Sequence, residues 1–498
     1  MELPSPLHNF LHRLFRAAFQ KQTKLFEGIP GPQPIFPIGN IQEFVNSNTA
    51  QVLGSFAERY GSLSLMWTFS KPSLVLNDPH LMRQILLTKE QQSVSHRDTP
   101  APDTVYENDF YKELPRKALC PMLTTTSTFI TAKADAEWRY LSKNHPLHMS
   151  YFEEWQGLQI LPLKTFLEEC CDEFMAKSRD RAIAVYDNIR KLTFDGFALA
   201  TLGKVLDESF FAHFLTMCDS GTQRMNLSSL NRAIIRDDPV SSTYQKASRE
   251  WYGLFLKLVK EAKVNPPAQS LLALVTERGG TKFDDEQLSK VFAEAYPGGA
   301  ISVPSGIANT LYLLEQHPQI LAKLLAELHI YWQGEWTLER LEQCTNLDRV
   351  LRESLRLLPP VAFFLRNVER NCPVVLDGHE IPPDTQIYMT SWHLQRQSPY
   401  WGKEPETFRP ERWDEQKLAD YAHWEGDYFF PFGRGDRKCI GNEFAIYFMK
   451  VALAVMVPKV QLQFVPDAAN TSDFIPQSFY FAVSVPSSLQ ATFISREQ

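Results

Sequence analysis

The sequence predicts a mainly α fold with small β-sheets (α+β), and three observations carry that prediction. Residues 155–265 carry apolar residues at helical spacing with few residues that break helices. The same spacing continues through residues 287–316 and through residues 442–457, so each is predicted to be one long helix. Short apolar runs bounded by Pro, Gly or Asp predict short strands instead. These runs lie in residues 63–77, 374–390 and 459–493.

The composition indicates one large globular protein of the cell interior. Its 498 residues could form several average domains, but no Gly/Ser linker, charge run or internal repeat divides them. We therefore expect an N-terminal amphipathic segment over residues 1–27 and a single catalytic domain over residues 28–498. The net charge of −7 gives no reason to expect nucleic acid as a partner. Seven cysteines, without zinc-type spacing, indicate a reduced, cytoplasmic protein.

The N-terminal segment is the part of the sequence that bears on membrane contact. Residues 7–26 interleave apolar side chains with His, Arg and Lys, and the run is too short and too charged to span a bilayer. It could lie on a membrane surface as a basic amphipathic helix. It could equally pack on its own domain or fray, because amphipathicity alone does not separate these cases. Peripheral membrane contact through residues 7–26 therefore stays open.

The elements that surround the helices are short. Residues 28–40 are rich in proline, which fixes φ and lacks an N–H, so this segment is predicted to be stiff. Residues 63–77 hold two apolar runs that predict a β-hairpin, and residues 79–87 return to helical spacing. Residues 374–390 predict more short strands, with a turn at Asp377-Gly378. These elements supply the small sheets of the predicted fold.

A ten-residue stretch near the C-terminus, residues 432–441, concentrates the residues that indicate chemistry. Gly433 and Gly435 permit a tight loop with positive φ. Two arginines and a lysine crowd Cys439, which lies just before the predicted C-terminal helix. Unpaired N–H groups and the helix dipole favour a thiolate at that position. Cys439 is therefore predicted to be a nucleophile or a metal ligand, although a lone cysteine is more often structural.

This stretch resembles the haem-ligand loop of the cytochrome P450 superfamily, whose pattern is F-x-x-G-x-R-x-C-x-G. All the specified positions match, at Phe432, Gly435, Arg437, Cys439 and Gly441. The resemblance implies a single large helical domain around haem b, with Cys439 as the axial ligand of the iron. It also implies cofactor contacts for Phe432, Gly433, Arg437 and Gly441.

Other segments resemble motifs that hold the haem in this family. Trp138 and Arg139 match the start of a W-R-x-x-R helix that reaches a haem propionate, although Ser142 replaces the second Arg. Arg366 is implied as a further propionate partner, and His393 stands where the family often has a haem-contacting His. An exposed helix face is the alternative for the Trp-Arg pair. An ordinary core or surface histidine is the alternative for His393.

A charge cluster is predicted to support the cysteine loop. Glu353 and Arg356 have i, i+3 spacing, so both charges share one helix face. They resemble the family's E-x-x-R motif, and residues 408–413 resemble its F-x-P-E-R segment. Arg412 would then complete a Glu353/Arg356/Arg412 cluster with a structural and not a chemical role.

The long helix of residues 287–316 departs from the family where dioxygen binds. Counted back from the end of this helix, the pattern A-G-x-[DE]-T falls on residues 298–302. Gly299, Ala300 and Ser302 keep the small residues and the hydroxyl, and the resemblance implies a catalytic role for these three. Ile301 replaces the acid that relays protons together with the alcohol in the usual mechanism.

Two prolines flank this groove. Pro297 and Pro304 each remove an i→i−4 hydrogen bond, which frees the carbonyls of Ala293 and Ala300. One hypothesis is that the Ala300 carbonyl holds a water that, with Ser302, replaces the missing acid. The alternative is that Pro304 only kinks the helix.

The resemblance implies a haem-thiolate monooxygenase that inserts one oxygen atom from dioxygen into an apolar small molecule. A terpenoid, a fatty acid or a similar lipid of secondary metabolism would suit such a site. A haem-thiolate isomerase or dehydratase acting on a peroxide is the alternative that Ile301 favours, and a haem-based sensor without turnover is a third. The resemblance leaves no residues for a flavin or iron–sulfur domain, so a ferredoxin or other separate electron-donor protein is expected, with Arg434 and Lys438 on a basic docking face.

Overall fold

The chain divides into two compact units by packing. The computed structural model describes residues 23–35, 39–44, 48–68, 71–92, 152–231, 239–267, 269–278, 283–368, 374–383, 385–414, 428–435, 438–465, 478–480 and 483–496. Unit 1 draws on Met1–Asp109, Val361–Thr407 and Gln416–Lys438. Unit 2 draws on Phe110–Pro360, Phe408–Glu415 and Cys439–Gln498.

Helices dominate the described residues. They are α1 (Thr49–Tyr60), α2 (Pro79–Gln92), α3 (Phe152–Lys177), α4 (Val185–Leu202), α5 (Glu208–Asn231), α6 (Pro239–Val264), α7 (Leu271–Arg278), α8 (Asp285–Gln316), α9 (Pro318–Trp332), α10 (Leu338–Glu342), α11 (Thr345–Leu357), α12 (Ser391–Leu394), α13 (Ser398–Trp401) and α14 (Asn442–Lys459). Short 3₁₀ turns cover Lys24–Phe26, Ile41–Phe44 and Pro410–Asp414.

The strands are short, as the sequence predicts. They are β1 (Leu63–Thr68), β2 (Lys71–Leu76), β3 (Ile183–Ala184), β4 (Phe364–Asn367), β5 (Val374–Leu376), β6 (His379–Ile381), β7 (Gln386–Met389), β8 (Val460–Phe464), β9 (Ser478–Tyr480), β10 (Val483–Val485) and β11 (Gln490–Ser495).

Unit 1 is built on a four-stranded sheet in the order β1-β2-β7-β4. β1 and β2 form the predicted antiparallel hairpin, and β7 pairs parallel with β2 and antiparallel with β4. The sheet is apolar where it is covered, since Leu74, Leu76 and Met389 are fully buried. β5 and β6 form a second hairpin, whose predicted turn has positive φ at Asp377 and Gly378.

Unit 2 is organised around α8, which confirms the long helix that the sequence predicts. Asp284 caps its first turn, and the Asp284 and Gln287 side chains accept from each other's backbone N–H groups in a capping box. The helix ends at His317 because Pro318 has no N–H to continue it and begins α9 instead. Its central turns are mostly buried beside α4, α6, α11 and α14.

Small antiparallel sheets complete unit 2. β11 lies between β3 and β8, and β9 pairs with β10 in a hairpin. α14 runs two residues beyond its predicted end, so the strand that follows begins at Val460 and not at Lys459.

The mainly α fold with small sheets is confirmed. Within the described part of the chain, no helix has both the length and the hydropathy to cross a membrane.

Candidate active site

The loop before Cys439 is shaped by its glycines. Gly433 and Gly435 have φ of +74° and +73°, the left-handed region that the sequence predicts for them. The Gly433 N–H donates to the Phe430 carbonyl at 2.9 Å, and the Lys438 N–H donates to the Gly435 carbonyl at 2.9 Å. Two successive tight turns therefore carry the chain to the cysteine.

Cys439 lies at the start of a deeply buried helix. Gly441 is the N-cap of α14, and its carbonyl accepts from the Ala445 N–H at 2.8 Å. The Asn442 side chain is buried, and with its amide oriented to donate it reaches the Cys439 carbonyl at 2.9 Å. The Cys439 side chain itself is exposed, whereas nearly all of α14 is buried. The exposed Cys439 side chain thus lies just before a helix N-terminus, the position that the sequence predicts.

A strip of small residues is open on the otherwise buried middle of α8. Ala295, Gly298, Gly299 and Ser302 follow the i, i+3, i+4, i+7 spacing of one helix face, and all four are partly or fully exposed. A Cβ added to Gly298 would meet no atom of the described residues within 4 Å. Ala300, in the same turn, is fully buried on another face. Of the three predicted catalytic residues, Gly299 and Ser302 lie on the open strip and Ala300 does not.

The Ser302 hydroxyl is held by its own helix. It donates to the Gly298 carbonyl at 2.6 Å, a back-bond one turn long. Its oxygen lone pairs stay available on the partly exposed side. The Ser302 oxygen can therefore accept a hydrogen bond without any rearrangement. The hydroxyl can donate to a group on the open side only if it breaks its bond to the Gly298 carbonyl.

The carbonyl that Pro297 frees has a donor. Trp251 on α6 donates its indole N–H to the Ala293 carbonyl at 3.0 Å, and Trp251 is buried. Pro458 near the end of α14 repeats the arrangement, since Trp332 donates to the Ala454 carbonyl at 2.7 Å. In both helices a tryptophan of a neighbouring helix replaces the N–H that proline lacks.

The carbonyl that Pro304 frees is enclosed. Ala300 is fully buried, so its carbonyl is closed to bulk water, and a water held there would be a buried one; the water hypothesis stays a prediction. The next carbonyl, that of Ile301, accepts from the Tyr186 hydroxyl of α4 at 3.2 Å. Burial raises the pKa of Tyr186, which keeps this hydroxyl a donor. Ile301, at the position of the family's acid, is itself fully buried.

Aromatic side chains enclose the helix around Pro297. Tyr296 packs edge-on against Phe197 and Phe194, with ring centroids 4.6 and 5.2 Å apart. Trp251 stacks at a tilt on Phe255 at 4.8 Å and meets Tyr296 at 5.8 Å. This aromatic cluster holds α4, α6 and α8 together beside the open strip.

The predicted charge cluster is present and fully buried. Arg356 binds Glu353 in a bidentate pair at 2.8 and 2.9 Å, and Arg412 donates to the same carboxylate at 2.7 Å. The Arg409 backbone N–H at 3.0 Å and the Trp413 indole at 3.1 Å complete five donors. Burial alone would raise the pKa of Glu353, but the two arginines and these donors hold it below its usual range.

The other described candidates, whose roles stay predictions, belong to unit 1. His393 is largely buried, and that burial lowers its pKa, so its imidazole is held neutral. A Cβ added to Gly54 would lie 3.0 Å from the His393 ring, so α1 packs closely against it. Arg366 lies in β4 and donates to the Leu365 carbonyl at 2.8 Å. Phe432 is partly exposed in the glycine loop.

Some predicted residues lie outside the described part of the chain, namely Trp138, Arg139 and Arg437. Residues 7–22 of the amphipathic segment also lie outside it. The cofactor contacts assigned to all of these, and to Arg366, His393, Phe432, Gly433 and Gly441, stay predictions.

Sequence reasoning missed the donors that shape α8. Pro297 marks a freed carbonyl in the sequence, but nothing there identifies Trp251, which is 42 residues from Ala293 in the chain, as its donor. Tyr186 was missed for the same reason, because its partner lies 115 residues away. Trp413 directly follows Arg412 in a motif and could have been added to the charge cluster.

The described residues fit a haem-thiolate group. The donor is an exposed thiol at a helix N-terminus, which is the ligand chemistry such a group requires. In the same unit, α8 keeps a strip of small residues that are partly or fully exposed, and a Cβ added to Gly298 would meet no atom of the described residues within 4 Å. Among the described residues no group of His, Cys, Asp and Glu could hold a separate metal ion.

Comparison with known proteins gives a consistent result. A family model described as Cytochrome P450 matches residues 29–483. A cytochrome P450 of Panax ginseng is 23% identical, over 92% of this chain and 91% of its own. Norfluorocurarine oxidase of a Strychnos species is 24% identical, over 94% and 92%. Premnaspirodiene oxygenase of Hyoscyamus muticus is 24% identical, over 90% and 88%.

Proposed function

The chain belongs to the cytochrome P450 family, whose members are haem-thiolate oxidoreductases, and from this premise we propose a specific reaction. The protein is a monooxygenase that inserts one oxygen atom from dioxygen into an apolar small molecule. Its cofactor is haem b, held by Cys439. The observation that carries the proposal is the exposed thiol of Cys439 at the start of α14, in the same unit as the open strip of α8.

The substrate class follows from chemistry and from relatives. The strip of Ala295, Gly298 and Gly299 offers a small apolar surface without charge. It therefore suits an apolar molecule that is recognised by shape complementarity. Relatives of this chain are named premnaspirodiene oxygenase and ent-isokaurene C2/C3-hydroxylase. We assign a terpenoid or a similar lipid to this chain on that basis.

The residues of the site have separable roles. When bound, the haem supplies the activation of dioxygen. Cys439 provides the thiolate that ligates its iron and donates electron density to it. Gly298 and Gly299 leave room on α8 for a bound molecule. The Ser302 hydroxyl holds a proton, and it passes this proton on when its hydrogen bond to the Gly298 carbonyl is exchanged for one directed to the open side of the strip. Ile301 carries no proton, so solvent must deliver protons to Ser302.

The alternative, an isomerase or dehydratase that rearranges a peroxide, rests on Ile301 alone. It needs no proton relay and no reductant. Ser302 retains a hydroxyl on the open strip, and relatives of this chain are named as an oxidase and an oxygenase. The monooxygenase is therefore the better supported function.

Electrons come from a separate protein, for which we propose a ferredoxin. The support is the basic pair Arg434 and Lys438 in the loop that leads to Cys439. Peripheral membrane contact through residues 7–26, in a cytoplasmic protein, remains the proposal for the N-terminal segment.

Turnover under labelled dioxygen tests the function. The purified haem protein is supplied with ferredoxin, its reductase and a panel of terpenes and fatty acids. We expect labelled product that depends on reductant. Turnover of a lipid hydroperoxide without reductant would support the isomerase instead.

The assignment of Cys439 as the iron ligand has its own test. The Cys439→Ser variant should lose the thiolate-shifted band of the reduced carbon monoxide complex, and retention of that band would refute the ligand assignment.

A further inference from the structure

The open strip of α8 ends abruptly in a buried polar seam. Ser302 is its last open residue, and the next residues on that side, Ser305 and Asn309, are fully buried although both are polar. The Ser305 hydroxyl donates to the Ser484 carbonyl at 2.6 Å. The Asn309 amide donates to the Leu358 carbonyl at 3.2 Å and lies 3.5 Å from the Ser305 hydroxyl. Buried polar groups are costly unless bonded, so these contacts fix their partners closely.

The partners of the seam are two segments that are also joined to each other. Ser484 belongs to β10, and its N–H donates to the Pro360 carbonyl at 2.7 Å. Leu358 follows the last turn of α11, two residues before Pro360. A Cβ added to Gly306 would meet Met449 of α14 at 2.7 Å and Leu355 of α11 at 3.6 Å, with Pro360 at 4.0 Å, so α14 and α11 cover this turn of α8 together with the same segment. We call residues 358–360 together with β10 the end wall.

The position of the end wall follows from helix geometry. Ser305 and Gly306 lie three and four residues after Ser302, and Asn309 lies seven after it, so all continue the face of the open strip. The face is open up to Ser302 and is buried from Ser305 onward, where Ser305 and Asn309 bond to the end wall and α11 and α14 lie against Gly306. The end wall therefore closes one end of the space above the strip.

We propose that Ser305 and Asn309 are positioning residues that set the place of the end wall, and through it the length and orientation of the molecule accepted beside Ser302. This rests on the proposed function, because it assigns the open strip to the substrate. Neither side chain touches the reacting atoms in this proposal. Each acts by holding a backbone carbonyl of the end wall against α8.

Thr310 supplies a matched control on the same helix. It is equally buried and has a hydroxyl group, which donates to the Gly306 carbonyl at 2.7 Å and lies 2.8 Å from the Ser354 hydroxyl, from which it can accept. Its partners lie in α8 and α11 and not in the end wall. Thr310→Val should cost stability comparably to the seam variants without moving the end wall.

The test compares Ser305→Ala and Asn309→Leu with Thr310→Val in the haem-loaded protein. Imidazole and 1-phenylimidazole bind the haem iron, and only the second extends far enough to sense the walls of the site. We expect the ratio of their dissociation constants to change about fivefold in each of the two seam variants. A change of this size corresponds to the free energy of about one hydrogen bond, which is what each variant removes. Thr310→Val should leave this ratio unchanged.

Hydrogen exchange gives a readout that needs no ligand. In the seam variants, the amides of Leu358 and of residues 483–485 should exchange about tenfold faster, because the bonds that hold these segments against α8 are lost; Pro359 and Pro360 have no N–H to exchange. If the seam variants and Thr310→Val change azole selectivity and exchange alike, the seam is only structural and the proposal fails. The proposed function fails separately, if the wild-type protein lacks the thiolate-shifted carbon monoxide band.

Discussion

The proposed role of Ser302 in proton delivery can be tested by a single substitution. Within the described part of the chain, its hydroxyl bonds only to the Gly298 carbonyl of its own helix, and the side chain is partly exposed. Ser302→Ala should therefore change the free energy of unfolding by less than about 0.5 kcal/mol. Because Ile301 offers no substitute, the fraction of consumed dioxygen that appears in product should fall at least about tenfold.

Oxygen uptake and product formation, measured together, check this prediction, and Ser302→Thr is the conservative control that should restore coupling. A coupling ratio unchanged in Ser302→Ala would remove the hydroxyl from proton delivery.

Glu353 makes stability depend on pH. Two arginine side chains and two further donors bind its fully buried carboxylate and hold its pKa below the usual value of about 4.3. A lowered folded-state pKa contributes stability that is present above about pH 4.3 and is lost as pH falls through the folded pKa. Glu353→Gln should lower the free energy of unfolding at neutral pH by about 3–5 kcal/mol, because it leaves buried arginines without their counter-charge.

Urea unfolding from pH 7 down to pH 3 measures both effects, with stability falling less steeply below about pH 4.3 in Glu353→Gln. Glu411→Gln is the surface control, since Glu411 pairs with Lys323 at 2.6 Å in the exposed part of unit 2. That pair should contribute less than about 1 kcal/mol. Equal losses in the two variants would show that the buried cluster is no more stabilising than an exposed pair.

At the scale of the helix, α8 shows which features the sequence could reveal. Its length, its caps and its two interior prolines are local properties, and the prediction for residues 287–316 is confirmed. What the prolines do is not local. The hydroxyl and indole donors that reach the α8 backbone beside them come from α4 and α6, and helix packing decides which side chains arrive there. The full burial of Ala300 is also a packing result, so the water hypothesis could not be judged from sequence.

The pairing of Trp251 with the carbonyl freed by Pro297 predicts a specific coupling. Trp251→Phe keeps the ring packing but leaves a buried carbonyl without its donor, so unfolding should become easier by about 1–3 kcal/mol. Pro297→Ala returns an N–H to the helix. In that background the cost of Trp251→Phe should fall by about 1 kcal/mol, since the carbonyl is already satisfied.

A double-mutant cycle on the free energy of unfolding measures this coupling. Trp332→Phe in the Pro297→Ala background is the control. Trp332 donates to the Ala454 carbonyl in α14, so the stability cost of Trp332→Phe should not depend on residue 297. If the costs of Trp251→Phe and Pro297→Ala simply add, the indole does not act as the substitute donor.

For the whole molecule, the sequence predicted the family and the fold class but not how the chain divides. Five fixed residues of one loop carried the resemblance to the cytochrome P450 family, which the family model over residues 29–483 confirms. The division into two compact units was not predicted, since unit 1 joins residues 361–407 and 416–438 to the N-terminal part, which is far away in the chain. The end wall was missed because Ser305 and Ser484 are 179 residues apart.

Haem removal tests the assignment of the whole chain as a haem-thiolate protein. A group that binds only the native state stabilises it by mass action, by about 2.7 kcal/mol at one hundred times its dissociation constant. Removing haem should therefore lower the melting temperature of the wild-type protein, and readdition should restore it. Cys439→Ala should respond much less to haem, whereas Cys170→Ala, which changes a partly buried cysteine of α3, should respond as the wild type does. Equal responses in all three proteins would mean that stabilisation by haem does not depend on Cys439.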